Sequence, residues 1–229
     1  GAAICGLHDL ERLPHQPATP RPMRATTATI DLDALRHNLK RVRALAPRAK
    51  VMAVVKADGY GHGLERVAAA LAGADAFGVA TIADAERLRS AGLEHRVVLL
   101  SGIDEARDLA VLRELHVDSV IHHEYQLGLL ERTPMAGTLS VWIKLDTGMH
   151  RLGLDPDTVA AIAQRLRDCP SVWPELGMMS HLARADERDS DYTRQQLQTF
   201  EIATAGLSGP RSLANSAGVL GWPQTHFDL

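Results

Sequence analysis

Lys56 comes directly after five apolar residues, Val51-Met52-Ala53-Val54-Val55. A lysine there has an apolar wall behind it. An amine that sheds its proton is a nucleophile toward aldehydes, which is what a Schiff base requires. The plainer alternative is a lysine that snorkels to solvent from a strand end. Lys144 and Arg151 share the Gly-rich stretch Lys144–Gly153. A guanidinium fork suits a carboxylate bidentately, and two nearby cations otherwise repel. His181 closes a run containing Leu176, Met178 and Met179. His122 and His123 close another run and are read as structural or rim residues. Asn215 and Ser216 follow Arg211–Ala214. They read as a helix N-cap, and a helix start there would favour phosphate.

These residues need elements that bring them together. The pattern predicts a strand over 28–32, a helix over 34–46 and a buried strand over 51–55. A Gly-rich turn over 58–63 and a helix over 64–72 come next. Further strands are expected over 76–80, 96–100, 118–122, 139–145, 175–181 and 211–214. Helices over 82–91, 103–115, 124–131, 156–167 and 192–205 separate them, and a short one lies near 218–221. Residues 225–229 read as the start of one more strand. Such alternation predicts parallel strands with crossover helices. About eight strands follow the first short one, which favours an α/β barrel of the (β/α)8 TIM type with its last strand truncated. Barrel chemistry sits at the C-terminal ends of the strands. Lys56, Tyr60, His122, Lys144, Asp146, Arg151, His181, Asn215 and Ser216 all fall there.

Composition narrows the function classes. The chain has 229 residues, 45% apolar and 23% charged, with a formal net charge of −3. That balance points to no nucleic-acid or membrane-surface partner, and no apolar run is long enough to span a bilayer. Cys5 and Cys169 are too few and too far apart for a disulfide framework or a metal site. The expectation is a reduced, cytoplasmic protein with no metal. Residues 1–22 lack the apolar core of a secretory signal. They read as a disordered leader or upstream translated sequence, with Met23 a plausible start and 23–229 a single barrel domain.

One stretch is more specific than any of these patterns. Val54-Val55-Lys56-Ala57-Asp58-Gly59-Tyr60-Gly61-His62-Gly63 resembles the cofactor-lysine signature of the alanine racemases, which use pyridoxal 5'-phosphate. The similarity runs from Thr27 to Leu229 in the family's order. It includes Phe77-Gly78-Val79-Ala80 with Glu86, Lys144–Gly153, Met179–Asp186 and Ala214-Asn215-Ser216-Ala217. The resemblance implies that Lys56 holds the cofactor and acts as base on the D-face of the substrate α-carbon. Tyr60 and Ser216 would contact the phosphate, with Asn215 supporting. His181 would lie against the pyridine ring, and Arg151 would contact the phenolic oxygen and the substrate carboxylate. Lys144 would be open to carbamylation, which would turn a cation into an anion that orients Arg151.

The resemblance also implies residues this sequence does not contain. The arginine for the ring nitrogen would follow shortly after Leu229. The opposing tyrosine base would lie in a C-terminal β domain, contributed by the partner of a homodimer. Racemisation needs a base on each face, so the sequence reads as an incomplete racemase, inactive as a fragment, whose whole enzyme supplies D-alanine for peptidoglycan. Three rivals are a stand-alone pyridoxal-phosphate barrel without racemase activity, a non-catalytic binding barrel, and a racemase or decarboxylase of broader amino-acid specificity. The Gly-Tyr-Gly-His-Gly run argues against the first, and the charged residues at strand ends argue against the second.

Overall fold

The computed structural model describes residues 27–229; the expected leader, 1–22, lies outside them. Asp31–Leu229 form one compact unit. Its seven strands are β1 (Met52–Val54), β2 (Ala76–Val79), β3 (Arg96–Leu99), β4 (Val117–Ile121), β5 (Val141–Lys144), β6 (Gly177–Met179) and β7 (Arg211–Ser212). Each pairs in parallel with the next, in chain order. Crossover helices connect them, among them Leu64–Ala70, Ile82–Ser90, Ala106–Glu114, Glu124–Arg132, Val159–Asp168 and Tyr192–Ala203. This is the expected barrel architecture.

Strand period two explains its two cores. Val97, Leu99, Val117, Ile121, Val141, Ile143 and Met178 point outward and pack with the helices. Val98, Val120, Trp142 and Met179 point inward, joined by Met52, Leu100 and Leu229. Trp142 fills the interior because β6 opens with glycine: a Cβ on Gly177 would lie 2.3 Å from the indole ring. The helices present stripes at helical spacing, such as Val159, Ile162, Ala163 and Leu166.

Two expected elements differ. Residues 27–30 are irregular, with 27–29 exposed, and no strand forms over 28–32. The Asp31 carboxylate instead accepts from the amides of Asp33 and Ala34 (2.9 and 3.0 Å) and caps a helix, Leu32–Leu45. Satisfying those free amides outweighs a short apolar alternation. At the other end, Pro223–Thr225 is a 3-10 turn with Pro at its start, and no strand forms over 225–229. Asp228 and Leu229 nevertheless lie between the sheet edges. Both donate their amides to the Arg211 carbonyl (2.9 and 3.1 Å), while Lys50 donates to the Asp228 carbonyl (2.8 Å). The Asp228 carboxylate accepts from the Arg211 amide. The two edges are thereby joined where the strands begin.

Candidate active site

The strand directions decide where the polar residues go. Lys56 lies just past β1, Lys144 ends β5, His181 lies just past β6, and Asn215 and Ser216 follow β7. All are at the C-terminal, or upper, end of the barrel.

Lys56 opens an unusual segment. Ala57, Asp58, Gly59 and Tyr60 have φ of 53, 54, 62 and 55° with ψ of 40–52°, a full turn of left-handed helix. The expected Gly-rich loop is therefore a regular structure of opposite hand. Glycine takes this conformation freely, but Ala57, Asp58 and Tyr60 each carry about 1–2 kcal/mol of local strain. The turn aims Lys56 from the end of β1, while Tyr60 stands at the rim with 58% of its surface exposed. Gly59 is buried, and a Cβ there would sit 3.1 Å from Val67 Cγ2.

The loop after β5 is tied down along its length. The Leu154 amide bonds to the Lys144 carbonyl (2.8 Å) and the Asp146 amide to the Leu154 carbonyl (2.9 Å), so the loop leaves and re-enters at one point. A Cβ on Gly153 would lie 2.4 Å from the Asp146 nitrogen, so this crossing needs glycine. The Asp146 carboxylate accepts from the amides of Gly148 and His150, both at 3.0 Å. Burial pushes its carboxyl up, and those amides, helped by the His150 ring, hold it below the usual range. The Tyr192 hydroxyl donates to the Gly148 carbonyl (2.6 Å). Arg151 projects from this loop.

The loop after β6 meets it through a buried polar chain. Ser180 Oγ donates to the Leu145 carbonyl (2.9 Å) and lies 2.8 Å from Thr147 Oγ1. Gln196, fully buried, donates to the His181 carbonyl (3.0 Å) and accepts from the Ala183 amide (2.8 Å). Asn215 accepts from the Gly218 amide (2.9 Å) and donates to the Leu182 carbonyl (3.1 Å). It thus caps the helix Ser216–Gly221 and joins the β7 loop to the β6 loop. Ser216 sits exposed in the first turn. His122 has its Nε2 2.7 Å from the Ser101 carbonyl, and His123 Nδ1 accepts from the Tyr125 amide at the start of Glu124–Arg132.

Electrostatics tie four side chains together. Lys144 is pulled down to about 8, first by burial, then by Arg151 and Lys56, with Asp146 opposing. His181 is pulled down to about 4 by burial and by Lys144, Arg151 and Lys56. Lys56 and Arg151 thus both act on Lys144, and all three act on His181. Tyr60 shares a turn with Lys56, while Asn215 and Ser216 stand on the neighbouring rim. Asp146, the carboxylate that opposes the two cations on Lys144, is already taken by backbone amides. Such a set suits an anionic ligand. Among the described residues, no cluster of three or more His, Cys, Asp or Glu side chains could hold a metal.

The alanine racemase N-terminal domain model matches residues 30–229. The chain belongs to this family. Relatives named alanine racemase include one from Nitrosococcus oceani, 55% identical over 202 residues, covering 88% of this chain and 56% of the relative. The biosynthetic alanine racemase of Escherichia coli O6:H1 is 48% identical over 206 residues, covering 90% of this chain and 57% of that one. The crystal structure of biosynthetic alanine racemase from Pseudomonas aeruginosa superposes with a TM-score of 0.83 at 42% identity, covering 87% of this chain and 56% of that chain. The chain thus spans somewhat more than half the length of the alanine racemases it matches.

Sequence reasoning missed Gln196, Tyr192 and the Thr147–Ser180 pair. One signal was available for Gln196. It lies on the helical stripe with Thr193 and Phe200, both fully buried, and an amide on an apolar stripe demands partners.

Proposed function

We propose that this chain forms the pyridoxal-phosphate-binding barrel of an alanine racemase that interconverts L- and D-alanine and supplies D-alanine for peptidoglycan. The observation that carries this reading is the convergence of Lys56, Lys144, Arg151 and His181 on one end of the barrel in a chain of this family. Cationic groups gathered there, beside an Asp146 already committed to backbone amides, favour an anionic ligand. The cofactor, when bound, supplies an electron sink for the substrate α-carbon.

The residues divide the remaining work. Lys56 would hold the cofactor through its amine and take the α-proton on one face. The hydroxyls of Tyr60 and Ser216 hold the phosphate, with the amides that begin the helix after Asn215. Burial keeps His181 neutral at physiological pH, so it would lie beside the cofactor ring without adding charge. Arg151 binds the substrate carboxylate. Lys144, at about 8, is part neutral near physiological pH, as carbamylation requires. Carbamylated, it becomes an anion facing Arg151. We further infer that the whole enzyme is a cytoplasmic homodimer whose second subunit brings the opposing base, a setting that the buried free thiol of Cys169 fits.

Borohydride trapping tests the assignment. Incubation with pyridoxal 5'-phosphate followed by reduction should leave the pyridoxyl mass on the peptide containing Lys56, and none after Lys56→Ala. Equal labelling in that variant would overturn it.

A further inference from the structure

We propose that Arg87 is a positioning residue for this site, holding the left-handed turn that carries Lys56 and Tyr60 by gripping Asp58. The inference rests on the roles assigned above to those two residues.

The turn is intrinsically disfavoured, so something outside it must hold it. Several of its bonds are internal and would travel with it if it relaxed. Gly63 donates to the Asp58 carbonyl (2.8 Å), while Gly59 donates back to the Val55 carbonyl (2.9 Å) at the end of β1, the strand the turn already follows. His62 Nδ1 lies 2.8 and 3.0 Å from the carbonyls of Tyr60 and Gly59. Asp58 ties the turn to other elements. Its Oδ1 accepts from the Leu64 amide (3.0 Å), at the start of the next helix, and from Arg87 Nη2 (2.8 Å). Arg87 is itself fixed, because its Nε and Nη2 donate to the two oxygens of Glu65 (2.8 and 2.9 Å). The grip crosses from the helix after β2 to the turn after β1. Hydrogen bonds to Arg87 hold the carboxyls of Asp58 and Glu65 below their usual range, and the same bonds raise the guanidinium.

A neighbour shows what an ordinary structural arginine does on this helix. Arg89 donates to the carbonyls of Leu93, His95, Leu115 and His116 and joins the segments that lead into β3 and β4. Arg87 instead spends its donors on two carboxylates, one inside the strained turn.

Arg87, Asp58 and Glu65 keep 42%, 52% and 45% of their side-chain surface exposed. Exposed pairs add little to global stability, so the turn can be released without unfolding the chain. The experiment compares the full chain with Arg87→Met, Arg87→Lys and Asp58→Asn. Without cofactor, amide exchange over 57–63 should quicken several-fold in Arg87→Met while the unfolding midpoint stays put. With pyridoxal 5'-phosphate, the dissociation constant should rise about threefold to tenfold, and reductive trapping at Lys56 should slow. Arg87→Lys should fall between, keeping the charge but losing the fork. Asp58→Asn keeps the Leu64 cap and tolerates the left-handed backbone. It should shift both readings the same way, and adding Arg87→Met to it should change little more. Unchanged exchange over 57–63 in Arg87→Met overturns the inference while leaving the assignment of Lys56 standing. A wild-type chain with no trapping at Lys56 overturns both.

Discussion

At the lower end of the barrel Arg96 meets Asp118; at the upper end Lys144 feels two further cations, Arg151 and Lys56. The lower pair is complete. Asp118 Oδ2 accepts from Arg96 Nε (2.7 Å) and from the Trp142 indole (3.0 Å), and the guanidinium stacks 5.3 Å from that ring. Burial still pushes the Asp118 carboxyl up, against Arg96 and Trp142. The charge has a partner, and the group plugs the interior. Among the described residues the upper set has no equivalent: Asp146, the carboxylate acting on Lys144, is committed to backbone amides. One barrel thus carries a satisfied ion pair for stability at one end and a frustrated cationic set, suited to a ligand, at the other. This agrees with the general placement of barrel chemistry at the C-terminal face.

The comparison predicts opposite signs for removing charge at the two ends. Asp118→Ala should lower stability by about 3 kcal/mol, because the buried indole N–H and Arg96 both lose their acceptor; denaturant unfolding measures it. Lys144→Met should do the reverse in the cofactor-free chain, gaining about 2 kcal/mol at pH 7. The folded value of Lys144 lies below its ordinary one, so wild type carries the full penalty below about pH 8 and loses it as pH climbs from there toward 10.5. The advantage of Lys144→Met should fade over that window. If the variant is less stable at pH 7, the contrast between the two ends fails. His181 gives the smallest effect, about 1 kcal/mol. Its folded value is also depressed, so its contribution is complete above pH 6.5 and is lost as pH falls through that value toward about 4. A His181→Gln chain should lose less stability than wild type between those limits.

Much of this was legible in the sequence, for physical reasons. Parallel strands buried on both faces read as short apolar runs, which is why the runs Val51–Val55 and Arg96–Leu100 fall within one residue of β1 and β3. Lys56, Lys144 and His181 were legible because each stands where such a run gives way to a loop. The left-handed turn was hidden. Gly59, Gly61 and Gly63 announce freedom of backbone, and composition does not say which hand that freedom takes. The run from Ala28 to Leu32 misled because Asp31 interrupts it with a cap whose value depends on amides that follow. Gln196 and Arg87 were hidden for another reason: Thr147, His181 and Asp58 lie far from them in sequence, so only folding makes them neighbours.

The bond from Lys50 to the Asp228 carbonyl has a consequence for how the molecule assembles. It links residues at nearly opposite ends of the described chain, whereas every strand pair joins successive segments. Loop-closure entropy rises with the length enclosed, by about 0.6 kcal/mol per doubling. The seam should therefore zip last, after β1 to β7 have been laid down in order. It should also open first, so that breathing of the barrel begins between Arg211 and Lys50 rather than between any two of its strands.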